Sequence, residues 1–194
     1  MNDTIQYYDS HAKNYFDSTA SVDFNDAYNR FLKYVPEHGR IIDIGCGGGR
    51  DVVAFVQRGF DVIGLDASET LAELAQKKNG IQVITADMAE WIADEPYDGI
   101  WCCASLLHLN DEGAHSFFEN LRHNLRSGGA IYISVKSGIE TGYDEKGRYM
   151  RNFTEAELRS LMEQAGIRIV CEWNTGDQLQ RDEFYWINMI GIMS

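Results

Sequence analysis

Three aspartates and one histidine stand where apolar runs carry or end on a polar group. Asp43 interrupts the run Arg40-Ile41-Ile42-Asp43-Ile44, Asp66 closes Asp61-Val62-Ile63-Gly64-Leu65-Asp66, Asp87 follows Ile81 to Thr85, and His108 follows Tyr97 to Ala104. A carboxylate inside an apolar strand is costly to bury unless it has partners or faces a site, so Asp43 needs a reason. An acid at the carboxyl end of the second strand of an open parallel sheet is placed to accept hydrogen bonds from ribose hydroxyls, which suits Asp66. Capping the following helix is the competing role, and Ser68 is the other candidate for that duty. His108 is the histidine positioned for chemistry, as proton acceptor or substrate contact, against the alternative of a structural histidine bonded to backbone. His11, His38, His115 and His123 read as surface residues.

Between Asp43 and the next apolar periodicity, Val52 to Val56, lies the glycine run Gly45-Cys46-Gly47-Gly48-Gly49. Strand, tight turn and helix follow from that order. Glycines permit positive φ and let a ligand approach backbone N–H groups at the positive end of a helix. The dinucleotide fingerprint G-x-G-x-x-G asks for a third glycine where Arg50 stands, so a nicotinamide or flavin site fails at one of its three glycines.

The stretch Ile41 to Gly49 resembles instead the first motif of the class I S-adenosylmethionine-dependent methyltransferases, h-h-D-h-G-x-G-x-G, and matches it at every position. Further segments carry the resemblance along residues 5–194: Tyr7-Tyr8-Asp9-x-x-Ala12-x-x-Tyr15, Leu106-Leu107-His108-Leu109, and Leu125-Arg126-Ser127-Gly128-Gly129, where serine replaces the usual proline. A looser resemblance, through Cys102 to His108, Ser134 to Gly138, Phe153 to Leu158 and Trp186 to Asn188, is to small bacterial members of the tellurite-resistance type, which implies a small or oxyanion-like acceptor. The resemblance implies S-adenosylmethionine as cofactor, with Asp43, Gly45, Gly47 and Gly49 around its methionine part, Asp66 on the ribose, Asp87 and Met88 on the adenine, and Cys46, Arg50 and Ala67 as further contacts. It places Tyr15 over the cofactor, Ala104 and His108 near the methyl group, and Lys136, Arg148, Arg181 and Trp186 on the substrate side. Aromatic faces near a sulfonium stabilise it by about 0.5–2 kcal/mol; packing on the core is the other role open to the tyrosines. Asp87 alone is equally a helix cap, and the cations between 136 and 151 can pair with neighbouring acids as well as receive an anion.

The fold implied is α/β: a single doubly wound seven-stranded Rossmann-like methyltransferase sheet, order 3-2-1-4-5-7-6 with strand 7 antiparallel. One domain is expected over 1–194, with residues 1–36 as a helical cap and 37–194 as the core. At 194 residues the chain buries about 70% of its unfolded surface. Its 17 basic and 30 acidic residues give a net charge of −13 without a lysine- or arginine-rich tract, which argues against bare nucleic acid as main partner. The four cysteines, Cys46, Cys102, Cys103 and Cys171, show no metal-ligand spacing and read as small buried groups. With no apolar run approaching membrane length and no leader-like start, the expectation is a cytoplasmic protein, monomer or homodimer, that acts on a small molecule.

Stepping along the chain, helices are expected over 3–18 and 23–34, from Ser68 to Lys77, in a short segment containing Trp91, from Asn110 to Arg126 with a glycine C-cap at 128–129, and after the capping box Thr154-Glu155-Ala156-Glu157. Residues 137–153 are too polar and long for a simple connection and read as a functional loop. Two closing strands, Ile167 to Asn174 and Phe184 to Ile192, form an antiparallel pair that a dehydrogenase fold does not predict. Two other functions stay open: a non-catalytic S-adenosylmethionine-binding sensor or scaffold, and an NAD-dependent oxidoreductase.

Overall fold

The computed structural model describes residues 3–176 and 184–194. Seven strands, β1 (Arg40–Ile44), β2 (Asp61–Asp66), β3 (Val83–Thr85), β4 (Tyr97–Cys103), β5 (Leu125–Ser137), β8 (Ile167–Gly176) and β9 (Tyr185–Met193), form one sheet in the order β3-β2-β1-β4-β5-β9-β8. A two-stranded hairpin, β6 (Gly142–Tyr143) and β7 (Tyr149–Met150), stands apart from it. Neighbours from β3 to β5 run parallel, and β9 runs antiparallel to both β5 and β8. Setting the hairpin aside, this is the expected order with its antiparallel last strand.

Alternation along the strands divides the core between the two faces of the sheet. Ile42, Ile44, Ile131, Ile133 and Val135 pack on one side with Phe117, Leu121, Leu158 and Met162 from α5 (Asp111–Asn124) and α6 (Glu155–Gln164). Ile41, Trp101, Ala130 and Tyr132 pack on the other with Tyr28, Phe31, Val52 and Phe55 from α2 (Asn25–Phe31) and α3 (Arg50–Val56). Trp101 and Tyr132 stack with ring centroids 3.9 Å apart. Because both faces are covered, the central strands read as near-continuous apolar runs, as parallel strands do.

Local chemistry fixes the helix starts. Ser68 accepts from Leu71 N–H at the head of α4 (Glu69–Asn79), Asn110 accepts from Gly113 N–H before α5, and Thr154 accepts from Glu157 N–H before α6. Ser68 thus takes the capping duty and leaves Asp66 to other work. The first helix, α1 (Asp3–Thr19), lies across the carboxyl ends of the strands. Thr4 Oγ1 accepts from Tyr149 N–H at 2.8 Å, and Asp9 Oδ1 accepts from Ser68 Oγ at 2.6 Å.

Two expectations need correction. Trp91 is not helical: its carbonyl and the Ala93 N–H are taken by the Asn124 side chain, a tertiary clamp that holds the segment irregular. Residues 125–129 do not cap α5 with glycine; Leu125 is already extended and pairs with Tyr97, so β5 starts there. Within the expected loop, 137–153, lies the β6–β7 hairpin, tightened by the Asp144 carboxylate on the N–H groups of Lys146 and Arg148.

Candidate functional site

The glycine run leaves β1 as the sequence requires. Gly45 has φ 74°, and a Cβ there would lie 2.2 Å from Ser105 Cβ, so both conformation and space exclude a side chain. The loop donates inward. Gly45 and Cys46 N–H both bond the Leu65 carbonyl, at 2.7 and 3.0 Å, and Gly47 N–H bonds Asp66 Oδ2 at 2.7 Å. Asp66 Oδ1 accepts from Ser68 N–H at 2.9 Å. Burial raises the Asp66 carboxyl above its ordinary range, partly offset by those two backbone donors. Each oxygen keeps a second lone pair for a ligand hydroxyl.

Two chambers open at the carboxyl ends of the strands. The first is lined by Gly45, Gly47, Asp66, Ala67, Asp87 and Met88, with α1 above it. The second, about 540 Å³, includes Cys46, Arg50, Lys136, Arg148 and Trp186 in its lining. Tyr8, Tyr15, Gly45, Ala104 and His108 border both. The chambers therefore meet at one wall. Ala104, in that wall, holds φ 58°, a left-handed conformation that is strained for a residue with a Cβ.

Under the loop lies a knot of buried polar groups. Arg50 grips Asp51 through Nε at 2.6 Å and Nη2 at 2.8 Å, and Asp51 also accepts from Trp101 Nε1 at 2.9 Å and from the Tyr28 hydroxyl. Burial pushes the Asp51 carboxyl up, but Arg50 and the two ring donors bring it below its ordinary value. Asp43 is 1% exposed, and its Oδ2 has no hydrogen-bond partner among the described residues. Burial first, then the Asp51 charge, push its carboxyl well above the usual range.

His108 sits in the shared wall with both ring nitrogens engaged. Nδ1 faces the Tyr149 carbonyl at 2.8 Å and so carries the proton, which leaves Nε2 to accept from the Tyr8 hydroxyl at 2.9 Å. Arg148 Nη1 donates to the same hydroxyl at 3.3 Å, while its Nε and Nη2 hold Asp144 at 2.9 and 2.6 Å. Burial, with Arg148 and Lys136 adding to it, lowers the His108 pKa to about 4. The imidazole is neutral near pH 7.

The site residues expected from sequence thus divide. Asp66, Asp87, Met88, Ala67, Gly45 and Gly47 come together in the first chamber, and Cys46, Arg50, Lys136, Arg148 and Trp186 in the second. Gly49 lines neither: it is the left-handed N-cap of α3, and a Cβ there would lie 2.2 Å from Ile81 Cδ1, so it serves packing. Asp43 lies beneath the loop, outside both linings. Asp87 Oδ1 accepts from Ala89 N–H at 2.9 Å, so part of its capacity goes to a local turn. Arg151, grouped by sequence with Lys136 and Arg148, is buried and pairs with Asp111 and Glu157 away from the site. Arg181 lies outside the described residues. Tyr8 was legible only as part of an N-terminal motif; its place in the shared wall depends on contacts 100 and 140 residues away.

Residues 41–129 match the family described as a methyltransferase domain. Ubiquinone biosynthesis O-methyltransferase of Aliivibrio fischeri is 30% identical over 170 residues, 71% of this chain and 70% of that protein. The chain belongs to the class I S-adenosylmethionine-dependent methyltransferases. Among solved structures, 1,6-didemethyltoxoflavin-N1-methyltransferase of Burkholderia thailandensis, crystallised with 1,6-didemethyltoxoflavin and S-adenosylhomocysteine, superposes with a TM-score of 0.77 at 20% identity, over 98% of this chain and 88% of that one. A TehB-like S-adenosylmethionine-dependent methyltransferase of Corynebacterium glutamicum superposes with a TM-score of 0.74 at 19% identity, over 95% of this chain and 99% of that one. At these identities the likeness is one of fold. The chain spans 50% or less of the length of the first curated relatives it matches. The methyltransferase family uses S-adenosylmethionine as methyl donor. Among the described residues no helix is long and apolar enough to cross a membrane.

Proposed function

We propose that this chain binds S-adenosylmethionine in the first chamber and transfers its methyl group to a small molecule in the second. The observation that carries the reading is the junction: two chambers, one bordered by Asp66 and Asp87 and the other by cations and aromatic rings, share the wall Tyr8–Tyr15–Ala104–His108. When bound, the cofactor supplies an electrophilic methyl group on a cationic sulfur. Asp66 is placed to accept from ribose hydroxyls, and Asp87 and Met88 to meet the adenine. Tyr8 and Tyr15 ride on α1 and close the wall from above, which aligns an acceptor and excludes water.

His108 is a positioning group in this reading. Its Nε2 is occupied by the Tyr8 hydroxyl, so Tyr8 is the group that meets the acceptor and His108 fixes its orientation. An acceptor already ionised at its reacting atom needs no base at all. The N–H groups of Gly45, Cys46 and Gly47 bond to protein, which leaves this loop poorly equipped for the pyrophosphate of a dinucleotide. Calorimetric titration with S-adenosylmethionine, S-adenosylhomocysteine and NAD tests the reading. Micromolar affinity for the first two and none for NAD is expected. Absence of binding by both sulfur compounds overturns it.

A further inference from the structure

The hydroxyl of Tyr8 belongs to a row of hydrogen bonds whose two ends admit one role each. At one end the Arg148 guanidinium has N–H groups and no lone pair to offer, so Nη1 donates to Tyr8 Oη at 3.3 Å. At the other end the Tyr149 carbonyl has lone pairs and no hydrogen, so it takes the His108 Nδ1 proton at 2.8 Å. The neutral imidazole between them presents Nε2 as a bare acceptor, and the Tyr8 hydroxyl, 2.9 Å away, gives it its one hydrogen. Every bond in the row Arg148, Tyr8, His108, Tyr149 points the same way.

The row lies in the wall of the second chamber, since Tyr8, His108 and Arg148 all line it. Tyr8 is also held as a ring. It meets Tyr7, Tyr15 and His108 edge-on, at centroid distances of 5.5, 5.0 and 5.5 Å and interplanar angles of 79°, 79° and 72°. Packed against these neighbours, the hydroxyl stays where the row puts it. Turning its hydrogen toward a ligand breaks the bond to Nε2 and strips that nitrogen of its partner, which is costly away from water. What Tyr8 keeps for a ligand is a lone pair.

We propose that Tyr8 Oη selects the acceptor by its hydrogen: the molecule in the second chamber presents a hydroxyl or N–H at the shared wall and donates it to the remaining Tyr8 lone pair. This rests on the methyltransferase reading above and narrows its substrate to one that carries hydrogen on a heteroatom at that place. A fully ionised oxyanion brings lone pairs alone and meets Tyr8 lone pair to lone pair. The inference therefore departs from the oxyanion-like acceptor that the tellurite-type resemblance implies.

Three neutral probes on one naphthalene body test it, a body suited to a chamber that Tyr7, Tyr15, Phe24 and Trp186 also line. 2-Naphthol has a hydrogen to donate, 2-naphthaldehyde has lone pairs alone, and 2-fluoronaphthalene matches the size of the hydroxyl with no hydrogen to give. Ligand-observed NMR titration yields their dissociation constants on wild type, with and without S-adenosylhomocysteine. 2-Naphthol is expected to bind about fivefold or more tightly than 2-fluoronaphthalene, the worth of one net hydrogen bond, and 2-naphthaldehyde to stay within about twofold of the fluoro compound. Tyr8→Phe is expected to bring all three within about twofold of one another. His108→Phe frees the Tyr8 hydrogen and is expected to raise the affinity of 2-naphthaldehyde above that of 2-fluoronaphthalene, a gain that mere loss of packing does not produce. Failure of 2-naphthol to bind, an aldehyde that equals it on wild type, a preference that survives Tyr8→Phe, or no aldehyde gain in a folded His108→Phe protein overturns the proposal. The wild-type comparison decides by itself where a variant does not fold. Failure of S-adenosylhomocysteine to bind in the same samples strikes the cofactor reading instead, and the three probes still report which role Tyr8 plays.

Discussion

Replacing His108 by Gln should flatten the pH dependence of stability between pH 7 and 5. In the folded protein the imidazole is held neutral, its pKa lowered from 6.5 to about 4 by burial, with Arg148 and Lys136 adding to the effect and Asp144 and the Tyr149 carbonyl opposing it. The unfolded chain binds a proton at His108 near pH 6.5; the folded one does not until about pH 4. Between those values the unfolded state holds more protons, so the stability tied to the neutral ring is complete above pH 6.5 and is lost as pH falls toward 4. At about 1.4 kcal/mol per pH interval, the loss reaches about 2 kcal/mol by pH 5 and about 3 kcal/mol at the lower end. Gln cannot titrate. It removes this slope and adds a pH-independent cost of about 1–2 kcal/mol for the altered contacts with Tyr8 and Tyr149. Urea unfolding of wild type and variant across pH 5–8 gives the difference curve, which should change by about 2 kcal/mol over that range. Proton NMR of the ring provides the direct check. A His108 resonance titrating near 6.5 in the folded protein, or parallel stability curves for the two proteins, refutes the buried neutral ring.

Asp66→Asn should weaken S-adenosylhomocysteine binding by about 1.5–3 kcal/mol, the loss of a charge-assisted bond; calorimetry within twofold of wild type would remove Asp66 from the ribose role. Gly45→Ala meets both a φ of 74° and a contact 2.2 Å from Ser105 Cβ, whereas Gly80→Ala meets a similar φ of 67° with nothing within 4 Å. The first should lower stability by about 3 kcal/mol or more and the second by about 1, so thermal unfolding of the pair separates crowding from backbone strain. Ala104→Gly relieves a left-handed residue by about 1–2 kcal/mol against an entropic cost of about 0.5–1, so the midpoint of thermal unfolding should hold or rise. A fall worth more than about 1 kcal/mol would count against strain at the shared wall.

What could be read without the structure was whatever local periodicity or loop chemistry encodes. Asp61–Asp66 shows its own boundaries because apolar residues end on an acid, and Ile41 to Gly49 shows a strand-to-helix turn because glycine alone tolerates that backbone. The terminal strand pair follows from two apolar stretches at hairpin distance. Trp91 misled because its apolar spacing suits a helix, while the Asn124 side chain, 33 residues on, decides the backbone. Leu125 misled because a glycine pair downstream resembles a helix stop, and pairing with Tyr97 wins instead. The first chamber was legible because its acids sit at strand ends fixed by topology. The second was legible only in part: Lys136 and Trp186 share a register on β5 and β9, but Tyr8 and Arg148 meet through a short hairpin of two-residue strands that no pattern announces.

The placement of α1 ties the two chambers together energetically. Tyr8 and Tyr15 on this helix border both, while Thr4 and Asp9 on the same helix bind the hairpin and the head of α4. Were the helix to lift, both chambers would lose a wall at once. A ligand in either chamber that favours the seated helix therefore raises affinity in the other. Linkage requires the factor by which cofactor tightens the acceptor to equal the factor by which acceptor tightens the cofactor. Substitutions that loosen Asp9, which lines neither chamber, should change both affinities together. The helix is the shared term in two binding equilibria.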